Sequence, residues 1–568
     1  MTDPPRDLPA WPPFQRRLLE LLFAAPFYGS TLLRRQPSGL ALTPTDPWPG
    51  DVGRGAAMVE GTYEFAGSMV RPEDSPWDEI DADDGWLETL HSFAWLRDLR
   101  AFGGDEARRL ARRLTEDWLT RYQRWSASVW RADIMGKRLV AWTAHFELFF
   151  CSGPDSFRDS LLAQMARQAR HLSRTAGGEM DGLARLEAIK GLLYAGLCIP
   201  GEQPLFTRAT RLLESELLRQ VTADGGHVER SPAVQMCLLR DLVDIRATLS
   251  ASRLDSLPVL TESIKRAAPA LRFFRHGDGG LALFNDSGEN NASEIDMILA
   301  QANIRKRPPD CLPESGFQRL SAGKLLALVD TGAPNQNGFE RHSHAGTLSL
   351  EVSFGKERLV VNCGAAVSPG MEWRHAARST AAHSTLAIGS TNSSNFEGTS
   401  LRVPVERQEA DGNTWFTASH NGYGKTFGLI HHRRLYMTAR GDELRGEDKL
   451  TQPEKGNSPN TNNLSDNRAF AIRFHFHPTV KASMLQDGAA VLLRLPGGTG
   501  WRLRASGAKV DLAESIYFGT GGAKRTQQVV LSGHITQSGA IVKWALRQEG
   551  GKTKNKDGSC SPSSSQVT

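Results

Sequence analysis

Two histidines, His342 and His344, stand two apart in the segment ERHSHAGTLSLEVSF. Strand periodicity would turn both imidazoles to one face of a sheet, where two ring nitrogens can converge on one metal ion or substrate. Where that strand begins is not fixed by the sequence, so their face relative to the apolar set stays open. His383 follows Arg378 in RSTAAHSTLAIG, and Asn362 ends the apolar run VVNCG. His227 and Glu229 share the loop DGGHVERSP. A carboxylate beside an imidazole tunes a general acid or base. The plainer alternative has Glu229 capping a helix and His227 filling a turn. His475 and His477 alternate with Arg473, as on a polar strand face, and His431 and His432 precede Arg433 and Arg434. That basic cluster suits the carboxylates of an anionic ligand or a solvated strand end. HGDGG and GGTG lack the strand and helix context of a phosphate loop.

The elements that carry these residues fall into two halves. From about 80 to 276, apolar residues recur at helical spacing, as in Leu87, Leu90, Phe93, Leu96 and Leu99. Further stripes cover 105–122, 136–151, 156–174, 180–197, 205–221 and 232–252, broken by Gly and Pro. Ser231-Pro232 is a helix start: Ser caps, and Pro suits the first turn, where its missing N–H costs nothing. After about 320 the period becomes two. Leu348, Leu350, Val352 and Phe354 alternate with polar residues, as do Phe470, Ile472, Phe474 and Phe476. Strands are expected at 324–329, 358–362, 384–388, 489–495, 501–505, 528–535 and 540–546, stacked as antiparallel sheets.

The 568 residues need several domains, and 40% hydrophobic content supplies large cores. A net charge of +5 suits an anionic ligand and does not argue for nucleic acid. Six scattered cysteines with no CxxC pair read as reduced thiols. The start MTDPPRDLPAWPPF is acidic and Pro-rich, so no signal peptide and no membrane span is expected. The stretch Leu18 to Phe27, interrupted by Glu20, reads as a short amphipathic helix packed on the body. Four regions follow: an extended lead-in over 1–50, a helical domain over 51–315 with a small hairpin near its start, a sheet domain over 316–550, and a disordered tail over 551–568. A long polar loop is expected at 452–467.

The succession DGGHVERSP, HSHAGTLSLEVSFG, RLVVNCG and RSTAAHSTL resembles the heparinase II/III family of polysaccharide lyases. LHSFAWLRDLRA, GKRLVAWTAHF and RFFRHGDGGLALFND extend the resemblance over roughly residues 50–550. It implies an N-terminal incomplete α/α toroid, a C-terminal antiparallel β-sandwich, and β-elimination at a uronic acid of an acidic glycan substrate. His342 matches the family's catalytic histidine. His344 and His383 match ligands of a largely structural zinc, and Asn362 stands where the family has a metal-binding Asp. Val234 occupies the place of the catalytic tyrosine, and DGLARLE (181–187) replaces the stretch that receives the substrate carboxylate. His227 is then the candidate to take over as base, with Glu229 beside it. Two alternatives remain: a non-catalytic binder of acidic glycans, and a hydrolase with Glu229 as acid. The missing export signal implies a cytoplasmic protein, whereas family likeness suggests a periplasmic one; homodimerisation is left open.

Overall fold

The computed structural model describes residues 11–550 except 80, 336–337, 367–370, 395–400, 454–467 and 486–487. The expected loop core and the C-terminal tail lie outside the described residues.

The short amphipathic helix expected at Leu18 to Phe27 is present as Pro13–Ala24, so the lead-in is not wholly extended. The expected hairpin, Tyr63–Phe65 with Ser68–Val70, is preceded by an unforeseen helix, Val52–Val59. Asp51 caps that helix by accepting from the Arg54 N–H at 2.9 Å. The hairpin turns at Ala66 and Gly67, both with positive φ, which matches the twist of the two strands.

The toroid is built from paired helices, including Ala132–Ala144, Asp155–Thr175, Gly182–Cys198, Gln203–Gln220, Pro232–Ala251 and Pro258–Phe273. The stripe expected over 136–151 ends as a helix at Ala144 and continues as a wider turn, Phe146–Phe150. Gly182–Cys198 buries residues on all sides, so it runs through the interior rather than along the rim. It crosses Ala132–Ala144 with backbones nearly touching: a Cβ on Gly191 would lie 2.3 Å from the Gly136 Cα. The inner helices enclose a cavity of about 490 Å³, lined by Lys137, Glu187, Lys190 and Asp241 among others. Lys190 bonds Asp241 at 2.8 Å and Asp244 at 2.6 Å, so its buried charge is compensated.

Two antiparallel sheets follow. One runs Lys509–Tyr517, Lys524–His534, Ala469–Phe476, Glu357–Val361, Leu350–Phe354, Leu325–Asp330, Phe317–Ala322, Cys311–Leu312. The other runs Lys481–Met484, Ala490–Arg494, Gly500–Ser506, Ala540–Gln548, Glu443–Thr451, Ile430–Met437, Asn413–His420, Val405–Ala410. Their inner faces share one apolar core, with Phe474 against Trp544 and Phe354 against Trp501. His431 and Arg433 belong to that interior and not to a solvated basic cluster. His475 is buried too: its Nε2 donates to the Ala381 carbonyl at 3.0 Å and its Nδ1 meets the Ser515 hydroxyl at 2.7 Å. No helix among the described residues is long and apolar enough to cross a membrane.

Burial sets an acid limit on this fold. It lowers His91, His171 and His475 to about 3, and His227 to about 4 against the pull of Glu229. Unfolded histidine takes a proton near pH 6.5. These depressed groups therefore contribute stability that is present above pH 6.5 and is lost as pH falls toward 4. The unfolding midpoint should drop steadily from about pH 7 to about pH 5; a flat profile would contradict the buried neutral histidines.

Candidate active site at the junction of the two halves

The loop after Gln203–Gln220 closes with a bridge between Val221 and His227. His227 is 2% exposed. Its Nδ1 accepts the Glu229 N–H at 3.2 Å, so its Nε2 carries the hydrogen and donates to Gln220 Oε1 at 2.9 Å. Both ring nitrogens are engaged inside the protein, which leaves none to act as the base expected of this residue. His227 instead fixes the backbone that presents Glu229.

Glu229 does cap a helix, though not the one that follows it in sequence. Its Oε1 accepts from the Leu183 N–H at 2.8 Å, at the start of Gly182–Cys198. That helix end favours negative charge. Gly182 has φ +60, and a Cβ there would sit 2.1 Å from Glu229 Oε1, so the carboxylate lies where a side chain would be. Its other oxygen, Oε2, is 3.4 Å from His342 Nε2.

His342 lies in a short 3-10 turn, Glu340–His342, ahead of the strand, which begins only at Leu350. The pair of imidazoles on one strand face is therefore not formed. Leu348, with φ +64, breaks the alternation before the strand starts. His342 keeps 24% of its side chain exposed, and its Nδ1 is 3.0 Å from Asp286 Oδ2. His344 points inward, its Nδ1 3.1 Å from His383 Nε2 and its Nε2 3.9 Å from Asp286 Oδ1.

Asp286 is the residue that sequence reasoning missed. It joins the two histidines of the sheet half to the helical half. Burial pushes its carboxyl up, but the His342 hydrogen bond and the neighbouring His344 outweigh this and hold it below the usual carboxylate value. Asn285 and Asp286 both have positive φ. An Asn-Asp pair after an apolar run was the available signal, since these types tolerate the left-handed region. Asn285 donates to the Arg230 carbonyl at 2.9 Å and accepts from the His344 N–H at 3.2 Å. Arg230, also with positive φ, pairs with Asp330 and donates to the Ser315 carbonyl at 2.7 Å. Such clustered strain is typical of functional sites.

Asp286, His342 and Glu229 thus form a carboxylate–imidazole–carboxylate row, with Nδ1 on Asp286 and Nε2 turned toward Glu229. Arg374 lies within electrostatic reach of Asp286, on the helix Met371–Arg378. Val234, at the expected tyrosine position, is a buried residue of the first turn of Pro232–Ala251.

Of the donors expected for zinc, His344 Nε2 is buried with no hydrogen-bond partner among the described residues, while the others are engaged within the protein. His383 Nδ1 donates to the Ser379 carbonyl at 2.7 Å, which leaves its Nε2 to receive the His344 Nδ1–H. The Asn362 oxygen accepts from the Ser384 N–H at 3.0 Å, and its amide donates to Glu351 at 3.2 Å. Two nitrogens and an occupied neutral amide fall short of the usual four-ligand set. Among the described residues, no group of three or more His, Cys, Asp or Glu side chains is placed to hold a metal ion.

Comparison with known proteins agrees with this architecture. The Heparinase II/III N-terminus profile matches residues 65–305, and the Heparinase II/III-like C-terminal profile matches residues 304–545. FtsZ-localized protein C of Caulobacter vibrioides is 32% identical over 538 residues, covering 91% of each chain. The crystal structure of heparinase III superposes with a TM-score of 0.73 at 14% identity, covering 94% of this chain and 91% of that one. A heparan sulfate lyase HepC mutant from Pedobacter heparinus gives 0.61 at 15% identity, covering 94% and 88%. The chain belongs to the heparinase II/III-like family, with an α/α toroid followed by a β-sandwich.

Proposed function

We propose that the chain binds a uronate-containing glycan beside His342 and cleaves it by β-elimination. The supporting observation is the half-buried imidazole held by Asp286 and faced by Glu229. In this reading the proton at C5 passes to the His342–Glu229 pair. The C5–H electrons form the C4=C5 bond, the C4–O bond breaks, and the leaving oxygen takes the proton back. With Val234 in place of a phenol, one pair serves as both base and acid. Arg374 would offset the sugar carboxylate. A panel of polyuronates and sulfated uronate glycans should yield ultraviolet-absorbing unsaturated ends. Folded protein that produces none from the whole panel ends this proposal.

Glu229 favours a second reading, a non-catalytic glycan binder. Its carboxylate already occupies the helix start at Leu183, where an acidic sugar would otherwise be received. The name of the Caulobacter relative adds a role at FtsZ to that reading. Tight glycan binding without any product, unchanged in a His342→Ala variant, would decide for it.

We also propose that His344 and His383 act as a hydrogen-bonded pair without zinc. Treatment with a chelator should leave the unfolding midpoint unchanged. Loss of a structural zinc would remove on the order of 10 kcal/mol of binding free energy and lower the midpoint sharply.

A further inference from the structure

The helix Pro13–Ala24 carries two apolar stripes, and only one is buried. Phe23 and Leu19 face the protein. The Phe23 ring sits 4.9 Å from Tyr28 and 4.8 Å from His171. The neighbouring Trp11 N–H donates to the Gly178 carbonyl at 2.7 Å, so this end of the chain is docked. The second stripe points to solvent: Phe14 is 81% exposed, Leu18 57%, Leu21 72% and Leu22 49%. These positions follow the i, i+4, i+7, i+8 spacing of one helix face. Phe27 and Leu33, in the segment that follows the helix, are also exposed, at 63% and 62%. Contiguous apolar exposure of this kind marks an interaction surface.

Charge identifies the occupant. Arg16 and Arg17 lie on the same helix, and Arg34 and Arg35 follow Leu33 in sequence, all exposed. Between residues 11 and 40 the sole acid is Glu20, which lies 3.5 Å from Arg16. A second copy docking through the same face would bring these cations together, which disfavours self-association. A bilayer surface meets both demands, taking Phe and Leu into its acyl boundary while anionic headgroups meet the arginines. The helix has 12 residues and is about 18 Å long, so it would lie flat and not span.

We propose that this face is a docking site for an anionic lipid surface. The contact is a single short helix and its following turn, so attachment is reversible, dependent on acidic lipid and weakened by salt.

The test uses the full chain and sedimentation with phosphatidylcholine vesicles, with and without phosphatidylglycerol. Wild-type protein should sediment with the acidic vesicles and be released by high salt. Leu18→Glu with Leu21→Glu should cut the bound fraction by about tenfold. Arg17→Gln with Arg34→Gln should weaken binding to acidic vesicles alone, and it keeps the test open should the first variant misfold. Wild-type protein that stays in the supernatant with every vesicle overturns the proposal. So does undiminished binding by folded Leu18→Glu/Leu21→Glu. A shift of that variant from dimer to monomer, with no vesicle binding by the wild type, assigns the face to self-association instead.

Discussion

Replacing His342 by alanine is expected to lower the formation of unsaturated product by about 10²–10⁴-fold, the usual contribution of a positioned acid–base group. The fold should survive, because the ring is partly exposed and sits in a short turn rather than in either core. Asp286→Asn should also slow the reaction. The amide can still accept from Nδ1–H, but it no longer offers the ring a charged acceptor. Glu229→Gln removes the second carboxylate beside the imidazole and should slow the reaction as well. A His342→Ala protein that turns over at the wild-type rate would remove the imidazole from the mechanism.

Asp448→Ala is expected to destabilise the sandwich by about 3–5 kcal/mol, as measured by denaturant unfolding. Asp448 is buried and accepts from Arg433 at 2.8 and 3.1 Å, from His431 at 2.8 Å and from the Trp544 indole at 2.8 Å. Burial alone would raise its pKa, but Arg433 and His431 hold it far below the ordinary range. Its removal would leave a guanidinium uncompensated in the core, and that drives the loss. The damage should also reach the site. Arg433 Nη1 donates to the carbonyls of Leu348 at 2.7 Å and Ser384 at 2.9 Å, which stabilise the segments just after His344 and His383. Replacing both partners by apolar residues, as in Asp448→Leu with Arg433→Met, should recover part of the stability. A loss below about 1 kcal/mol in the single variant would show that the pair does little for the fold.

Much of this architecture was legible in the sequence because it rests on local rules. The start at Ser231-Pro232 fell where expected, since capping chemistry is local. The change from helical to strand spacing was equally plain. The site was less legible, because its contacts join residues far apart in sequence. Asp286 reaches His342 across 56 positions, through backbone conformations that no periodicity encodes. The alternating run after His344 misled for a similar reason: Leu348 has the composition of a strand residue but a left-handed backbone. His431 and Arg433 looked like surface basics because period two fixes which residues share a face, but not which face meets the core. The short helix Val52–Val59 lies among glycines and needs tertiary support to form.

The missing side chain at position 182 bears on selectivity. The protein supplies its own anion to the first free amide of an interior helix, in space that alanine would fill. The helix end grips one oxygen of that carboxylate and thereby keeps the other turned toward His342. The seat is filled before any ligand arrives, so a charge on the ligand has to be met elsewhere.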